Sequence, residues 1–219
     1  MDFRAFDFRE CVTLVKSTGK SARNIRQFQD ILALIPEAAI FHHTCQYFMR
    51  NPGLEYTNDF AQWAGENLGE RALAEYLSNI DPYAFKTMSD LRKGLLGVID
   101  VYLQRYPEPR EVMRGDEFFF SEGVTLNFPA GVRARNLAEL LTGIKYVDAN
   151  SIYFHFYEAR LRLGGLADDF SSWVDESLGK SGLAARIRSM DPFMHTVEGI
   201  REHLVADMED ELRRDMEAM

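Results

Sequence analysis

A histidine and an aspartate recur at similar spacing in the two halves of the chain, and together they could carry acid–base chemistry. His43 is followed by Asp59, and His155 is followed by Asp169. An imidazole that is hydrogen-bonded to a carboxylate can accept and return a proton near neutral pH. These four residues are therefore the candidates for catalysis, as one acid–base pair in each half.

The same four residues have a structural interpretation, which we favour. Asp59 and Asp169 stand where a helix is expected to begin, and a carboxylate there caps free backbone N–H groups. His43 and His155 lie in apolar segments, so each imidazole is expected to be buried and bonded to a backbone carbonyl or to the nearby aspartate. The sequence also lacks a nucleophile motif such as Gly-x-Ser-x-Gly, which favours a protein without catalysis.

An arginine followed by an asparagine also occurs twice, at the expected start of a helix. The two pairs are Arg23-Asn24 and Arg135-Asn136. Guanidinium and amide groups beside free N–H groups could bind a carboxylate or a phosphate, so these four residues are the ligand-binding candidates. In the alternative interpretation, each arginine pairs with an acidic residue such as Glu10 or Glu122.

Neither a metal site nor a nucleotide-binding loop is complete in the sequence. His42, His43 and Cys45 crowd together, but the second half keeps only the counterpart of His43, and a metal needs three or four ligands. Gly19-Lys20-Ser21 resembles the end of a phosphate-binding loop, yet Leu14 stands where that loop needs its first glycine. We therefore expect no metal and no cofactor.

The candidate residues recur because most of the chain reads as two copies of one unit. Asp59, Phe60, Trp63, Glu66, Leu68 and Gly69 recur as Asp169, Phe170, Trp173, Glu176, Leu178 and Gly179. We predict one unit over 1–106 and another over 117–219, joined by a polar linker at 107–116. Two copies are too few for a solenoid, so we expect one compact body in which the units pack about a pseudo-twofold axis.

The predicted fold class is mainly α with a small β element. Short strands are expected around 11–16 and 123–128, and they should pair with each other. Amphipathic helices follow, the first with Ser21 as its N-cap and its counterpart over about 133–141.

The later helices of each unit have recognisable boundaries. The segments Ala39–His43 and Ser151–His155 are apolar on all sides and predict buried helices. Asp-Pro pairs at positions 81 and 191 end a further helix in each unit. The last helix of each unit carries an arginine on its polar side, Arg92 or Arg201, expected to be solvated or ion-paired.

The composition predicts a folded, acidic protein of the cytoplasm. Hydrophobic residues make up 46% of the 219 residues, enough for a packed core, and the net charge of -9 disfavours binding to nucleic acid. No segment has the roughly 18–20 apolar residues of a membrane-spanning helix, and the N-terminus lacks the apolar segment of a signal peptide. Cys11 and Cys45 have no cysteine counterparts in the second half, so free thiols are expected.

Three segments of the first half resemble those of a bacterial family of duplicated helical proteins. They are Asn58-Asp59-Phe60-Ala61-Gln62-Trp63, Ala39-Ile40-Phe41-His42-His43 and Ile80-Asp81-Pro82. The resemblance covers nearly the whole chain and implies duplicated helical units, but it implies no activity. The second half departs from the motif at Asp168-Asp169-Phe170-Ser171-Ser172-Trp173, so the two halves need not do the same work.

We expect a cytoplasmic binding or regulatory module without catalysis, with a small anionic ligand bound where the two units meet. One alternative is an enzyme with a His–Asp pair in each half. The other is a scaffold that binds a protein partner through an exposed apolar helix face, for which the acidic last helix is the candidate. Neither nucleic acid nor a membrane is an expected partner.

Overall fold

The computed structural model describes residues 5–47, 55–162, 167–192 and 194–217. It is mainly helical with a two-stranded antiparallel sheet, which confirms the predicted fold class. The strands and helices in chain order are β1 (Phe6–Ala22), α1 (Ile25–Leu32), α2 (Glu37–Phe41), α3 (Asp59–Glu66), α4 (Arg71–Ser78), α5 (Met88–Arg105), β2 (Phe118–Ala134), α6 (Leu137–Tyr146), α7 (Ala149–Tyr153), α8 (Ala159–Arg162), α9 (Asp169–Leu178), α10 (Ser181–Arg188) and α11 (Val197–Glu217). Two π-helical turns follow α2 and α7, at His42–Gln46 and Phe154–Glu158.

The two strands pair with each other as predicted, but they are much longer than the sequence suggested. Each has 17 residues. The buried side chains lie mostly at the ends of the strands, whereas the middle is mostly exposed. The predicted segments, 11–16 and 123–128, lie within the mostly exposed middle of each strand, so the prediction missed both ends of β1 and β2.

The first helix of each half begins at an asparagine. The Asn24 side chain accepts the backbone N–H of Gln27 at 3.0 Å, and that of Asn136 accepts the N–H of Glu139 at 2.9 Å. The predicted cap at Ser21 is wrong, because β1 continues through Ala22. The helix predicted over 133–141 likewise begins later, at Leu137.

The chain forms two compact units, one from a continuous segment and one from two segments that are distant in sequence. The first unit is Thr13–Val124, and the second unit is Met1–Val12 together with Thr125–Met219. The opening part of β1 therefore belongs with the later half of the sequence, and the opening part of β2 belongs with the earlier half. The repeat boundaries at 106 and 117 stay a prediction.

Aromatic rings form the core of the first unit. Phe28 stacks on Trp63 with ring centroids 5.5 Å apart, and Phe60 crosses Phe28 at 5.2 Å. Two rings from the start of β2 complete this cluster, because Phe118 and Phe120 lie 5.3 Å and 5.2 Å from Phe28. The start of β2 is thus an integral part of this core.

The second unit has a comparable aromatic cluster. Phe6 at the start of β1 stacks on Phe170 at 5.3 Å and meets Trp173 edge-on at 5.8 Å. Phe8 lies 4.9 Å from Phe6 and is almost fully buried. A side chain at position 143 would overlap the Phe8 ring, so the glycine there leaves room for this ring of β1.

Two arginines that the sequence left without a specific role secure the ends of helices. Arg92 donates to the carbonyls of Ala33 at 3.0 Å and Ile35 at 2.7 Å, just beyond α1. Arg201 donates in the same way to the carbonyl of Val147 at 2.9 Å, just beyond α6. Each arginine satisfies carbonyl groups that lack helical partners at a helix C-terminus.

No helix in the described part of the chain is long and apolar enough to cross a membrane. The two cysteines are free thiols, as the sequence predicted, and both are buried.

Candidate functional site

The histidine of the first unit lies between a helix and a strand, with both ring nitrogens engaged. His43 Nδ1 is 2.6 Å from Asp59 Oδ2, the pairing that the sequence predicted. The backbone N–H of Ser121 in β2 donates to His43 Nε2 at 2.8 Å. The imidazole is only 3% exposed, so these contacts are made away from water.

The second unit holds its histidine in the same way. His155 Nδ1 is 2.8 Å from Asp169 Oδ2, and the backbone N–H of Arg9 in β1 donates to His155 Nε2 at 2.8 Å. This imidazole is also 3% exposed. The strand contact was not foreseen, because it joins residues that are very far apart in sequence.

The strand contact fixes the tautomer of both histidines. A backbone N–H can only donate, so Nε2 must be the acceptor and carries no proton. The proton of the neutral ring therefore sits on Nδ1 and is donated to the aspartate carboxylate. The aspartate orients the ring, and the ring accepts one N–H of the strand.

The helix start that holds each aspartate explains why the carboxylate is available to the histidine. The caps are the preceding residues, since Asn58 accepts the N–H of Ala61 at 2.9 Å and Asp168 accepts the N–H of Ser171 at 2.8 Å. The expectation that Asp59 and Asp169 cap the helices is therefore wrong. Each is the first helical residue, and its side chain turns to the histidine.

Each histidine itself lies in a π-helical turn, which the sequence analysis did not predict. A π-helical turn holds an extra residue relative to an α-helical turn and often occurs where a side chain must be aimed. His43 and His155 occupy equivalent places, second in His42–Gln46 and second in Phe154–Glu158. The clustered apolar residues that predicted a buried helix gave no sign of this change in winding.

The chemistry open to these histidines is limited by their contacts. A general base needs a lone pair that can reach the substrate, but the Nε2 lone pair accepts a strand N–H and Nδ1 faces the carboxylate. Among the four catalytic candidates, solvent reaches mainly the carboxylates, because the side chain of Asp59 is 32% exposed and that of Asp169 is 19% exposed.

A buried glutamate that the sequence analysis did not single out lies close to one of the thiols. Glu158 accepts hydrogen bonds from Thr125 Oγ1 at 2.8 Å and from the Tyr153 hydroxyl at 3.0 Å. Burial, with the nearby Glu158 charge, raises the pKa of Cys11 to about 12. Burial also raises the pKa of Cys45 to about 12. Neither thiol is therefore prepared to act as a nucleophile.

The arginine–asparagine pair of the first unit is engaged within the unit. Arg23 donates to the carbonyl of Val112 at 3.4 Å and lies 3.9 Å from Glu111. Asn24 uses its oxygen as the helix cap and donates its amide to Glu111 at 3.1 Å. The arginine thus has an acidic partner, as in the alternative interpretation, although the partner is Glu111 rather than Glu10.

The pair of the second unit stands beside an open groove. The groove has a volume of about 550 Å³ and is lined by Val132, Arg133, Asn136, Ala138, Glu139, Thr142, Gly143 and Tyr146. Arg135 is exposed next to these residues, and its backbone N–H donates to Glu139 at 2.8 Å. Asn136 also donates to Glu139, at 3.1 Å, so this carboxylate is held at the helix start.

The cap of α9 is a buried carboxyl group. Asp168 is fully buried, and burial raises its pKa, although hydrogen bonds from Ser171 and the nearby Arg160 guanidinium act in the opposite direction. The corresponding cap of α3 is the neutral Asn58. The two helix starts therefore share geometry but differ in the capping group, which is a titratable carboxyl at α9 and a neutral amide at α3.

The match to a model of one protein family extends over residues 3–209. The chain belongs to this family of unknown function, DUF5752. A solved structure that it resembles is OrfY from Thermoproteus tenax, with 31% sequence identity and a TM-score of 0.81 over 94% of this chain and 95% of that one. A comparison with curated proteins finds no match.

In this member of DUF5752, the described residues contain no group of three or more histidine, cysteine, aspartate or glutamate side chains that could hold a metal ion. The apolar side of α11 is largely covered, since Ile200, Leu204 and Met208 are buried. Met216, near the end of α11, is exposed. Large exposed apolar side chains also occur on the strands, at Val12, Leu14, Val15, Phe119, Val124, Leu126 and Phe128.

Proposed function

We propose that the protein is a non-catalytic binding module whose ligand occupies the groove beside α6 in the second unit. The observation that carries this proposal is the open recess of about 550 Å³ with Arg133 and Asn136 in its lining. A recess of this size suits a small molecule, and recesses with a few convergent polar groups are the usual form of such sites.

The charges around the groove support a ligand with an anionic group. Glu139 already accepts bonds from the Arg135 N–H and from Asn136, so much of its capacity as an acceptor is used. Arg133 pairs with Asp7 at an exposed position, where an ion pair contributes little and can be exchanged for a ligand. Arg135 adds an exposed cation beside the recess.

The contacts of the histidines support binding over catalysis. The enzyme alternative required each histidine to lie within hydrogen-bond distance of its aspartate, with both side chains lining an open cleft. Both pairs meet the distance requirement, but the two imidazoles are only 3% exposed. However, the lone pair that a general base would offer to a substrate is directed at a strand amide in both units. The favoured role of the pairs is therefore to hold the strands.

A thermal-shift screen of the full-length chain with small carboxylates and phosphates tests the proposed site. The matched variants are Arg133→Ala/Arg135→Ala, at the groove, and Arg23→Ala, at the equivalent position of the first unit. A ligand at about one hundred times its Kd should stabilise the wild type by about 2.7 kcal/mol. The shift should persist in Arg23→Ala and vanish in the double variant. An equal shift in all three proteins would reject the groove as the site.

We also infer that the chain arose by internal duplication. The inference is supported by the same contacts in each unit: a histidine between an aspartate and a strand N–H, and an arginine at a helix C-terminus. A chain in which residues 1–112 occur twice in tandem should then fold cooperatively with a similar helix content, as circular dichroism would show. A tandem chain that remains unfolded would contradict this inference.

A further inference from the structure

Each unit binds the opening part of one strand through the same combination of contacts. In the second unit, Phe6 and Phe8 enter the aromatic cluster, and the next N–H, of Arg9, is bound by a histidine. In the first unit, Phe118 and Phe120 do the same, and Ser121 donates the N–H. We call the two histidines, His43 and His155, the strand latches.

A strand latch can work only while its ring is neutral. Nε2 has one lone pair, and the strand N–H uses it at 2.8 Å in both units. A proton on Nε2 would point at the N–H group that it should accept, so charging the ring and holding the strand exclude each other. The Nδ1 contact is different, because Nδ1 donates to a carboxylate in either state of the ring.

Each ring faces one carboxylate and several aromatic side chains. At His43 these are Asp59 and the rings of Phe60, Phe118 and Phe120. His42 is a second titratable ring at 5.0 Å. The more distant Glu66 carboxylate belongs to the same helix as Asp59.

At His155 the corresponding groups are the Asp169 carboxylate and the rings of Phe6, Phe8 and Phe170. The buried Asp168 precedes Asp169, and it faces the Arg160 guanidinium at 4.0 Å. In both units the aspartate therefore remains a partner for Nδ1 when the strand contact is lost.

We propose that the strand latches make the protein acid-responsive: when the rings of His43 and His155 take up a second proton, the opening parts of β2 and β1 are released. The proton is added to Nε2, the hydrogen bond from the strand N–H is broken, and the imidazolium stays paired with its aspartate. Release withdraws two phenylalanines from each aromatic cluster and uncovers the surface on which they lay. This proposal does not depend on a ligand in the groove.

Amide exchange of the full-length protein, measured by NMR over a series of pH values, tests the proposal. The protonation of each ring is followed in the same samples through its nitrogen shifts. As the rings become charged, the protection factors of the Arg9 and Ser121 amides should fall at least tenfold. Two amides outside the latches serve as controls, Val112, which donates to the Arg23 carbonyl at 2.8 Å, and Val147, which donates to the Gly143 carbonyl at 2.9 Å. Their protection should not change.

A variant with His43→Gln and His155→Gln provides the matched comparison, because a glutamine oxygen can accept the strand N–H but does not titrate. The Arg9 and Ser121 amides of this variant should keep their protection at acidic pH. Three results would overturn the proposal: protection that persists on charged rings, simultaneous loss at all four amides through global unfolding, and the same acid loss in the glutamine variant. If the variant does not fold, the wild-type series alone tests the proposal through the first two of these results.

Discussion

Replacing His43 with alanine should destabilise the first unit by more than the loss of one ordinary hydrogen bond. The change leaves the Ser121 N–H without its acceptor, and a buried unpaired donor costs about 1–3 kcal/mol. It also removes a ring that packs 4.9 Å from Phe118 and 5.4 Å from Phe60, and the resulting cavity adds about 2 kcal/mol. The expected loss in the free energy of unfolding is therefore about 3–5 kcal/mol.

Urea denaturation of His43→Ala and of His43→Gln measures this loss and separates its two parts. Glutamine keeps an acceptor for Ser121 and fills part of the space, so its loss should be about half that of alanine. Asp59 contributes little to the difference, because its side chain is 32% exposed and can be solvated. A loss below about 1 kcal/mol in the alanine variant, or equal losses in both, would refute the reasoning.

Three further predictions concern packing, thiol chemistry and a buried charge. Gly143→Ala should destabilise the protein by about 2 kcal/mol in urea denaturation, because its Cβ would overlap a β1 ring, whereas Gly182→Ala meets no neighbour and should not. Cys11 and Cys45, both with a pKa of about 12, should react with iodoacetamide only after unfolding, and rapid native labelling would contradict their burial. Burial raises the pKa of Asp168, so its protonated form stabilises the fold. The free energy of unfolding of the wild type minus that of Asp168→Asn should therefore fall as the pH rises above about 4. A value that stays flat or rises with pH would oppose this prediction.

The sequence predicted the helical elements well where local chemistry decides them. The buried helix at Ala39–His43 follows from apolar clustering, and it is present, with its last two residues in a π-helical turn. The cap at Ser21 failed because the length of β1 depends on its pairing with a strand far away in sequence. Strand ends are set by tertiary contacts that periodicity in one segment does not contain.

The candidate site was predicted in part for the same reason. The pairing of His43 with Asp59 could be inferred because both belong to neighbouring elements of one unit. The acceptor role of Nε2 could not be inferred, since its partner Ser121 comes from the opening part of the distant strand. That single long-range contact changes the histidine from a catalytic candidate into a residue that holds a strand.

The role of His43 and His155 in holding the strands depends most directly on the tautomer of their rings. Long-range nitrogen–proton NMR correlations of the full-length protein at neutral pH identify which ring nitrogen of His43 and of His155 carries the proton. We predict a protonated Nδ1 and an unprotonated Nε2 that is hydrogen-bonded to the amide of Ser121 or Arg9. A proton on Nε2 in the neutral ring, or the absence of any coupling to those amides, would contradict the account.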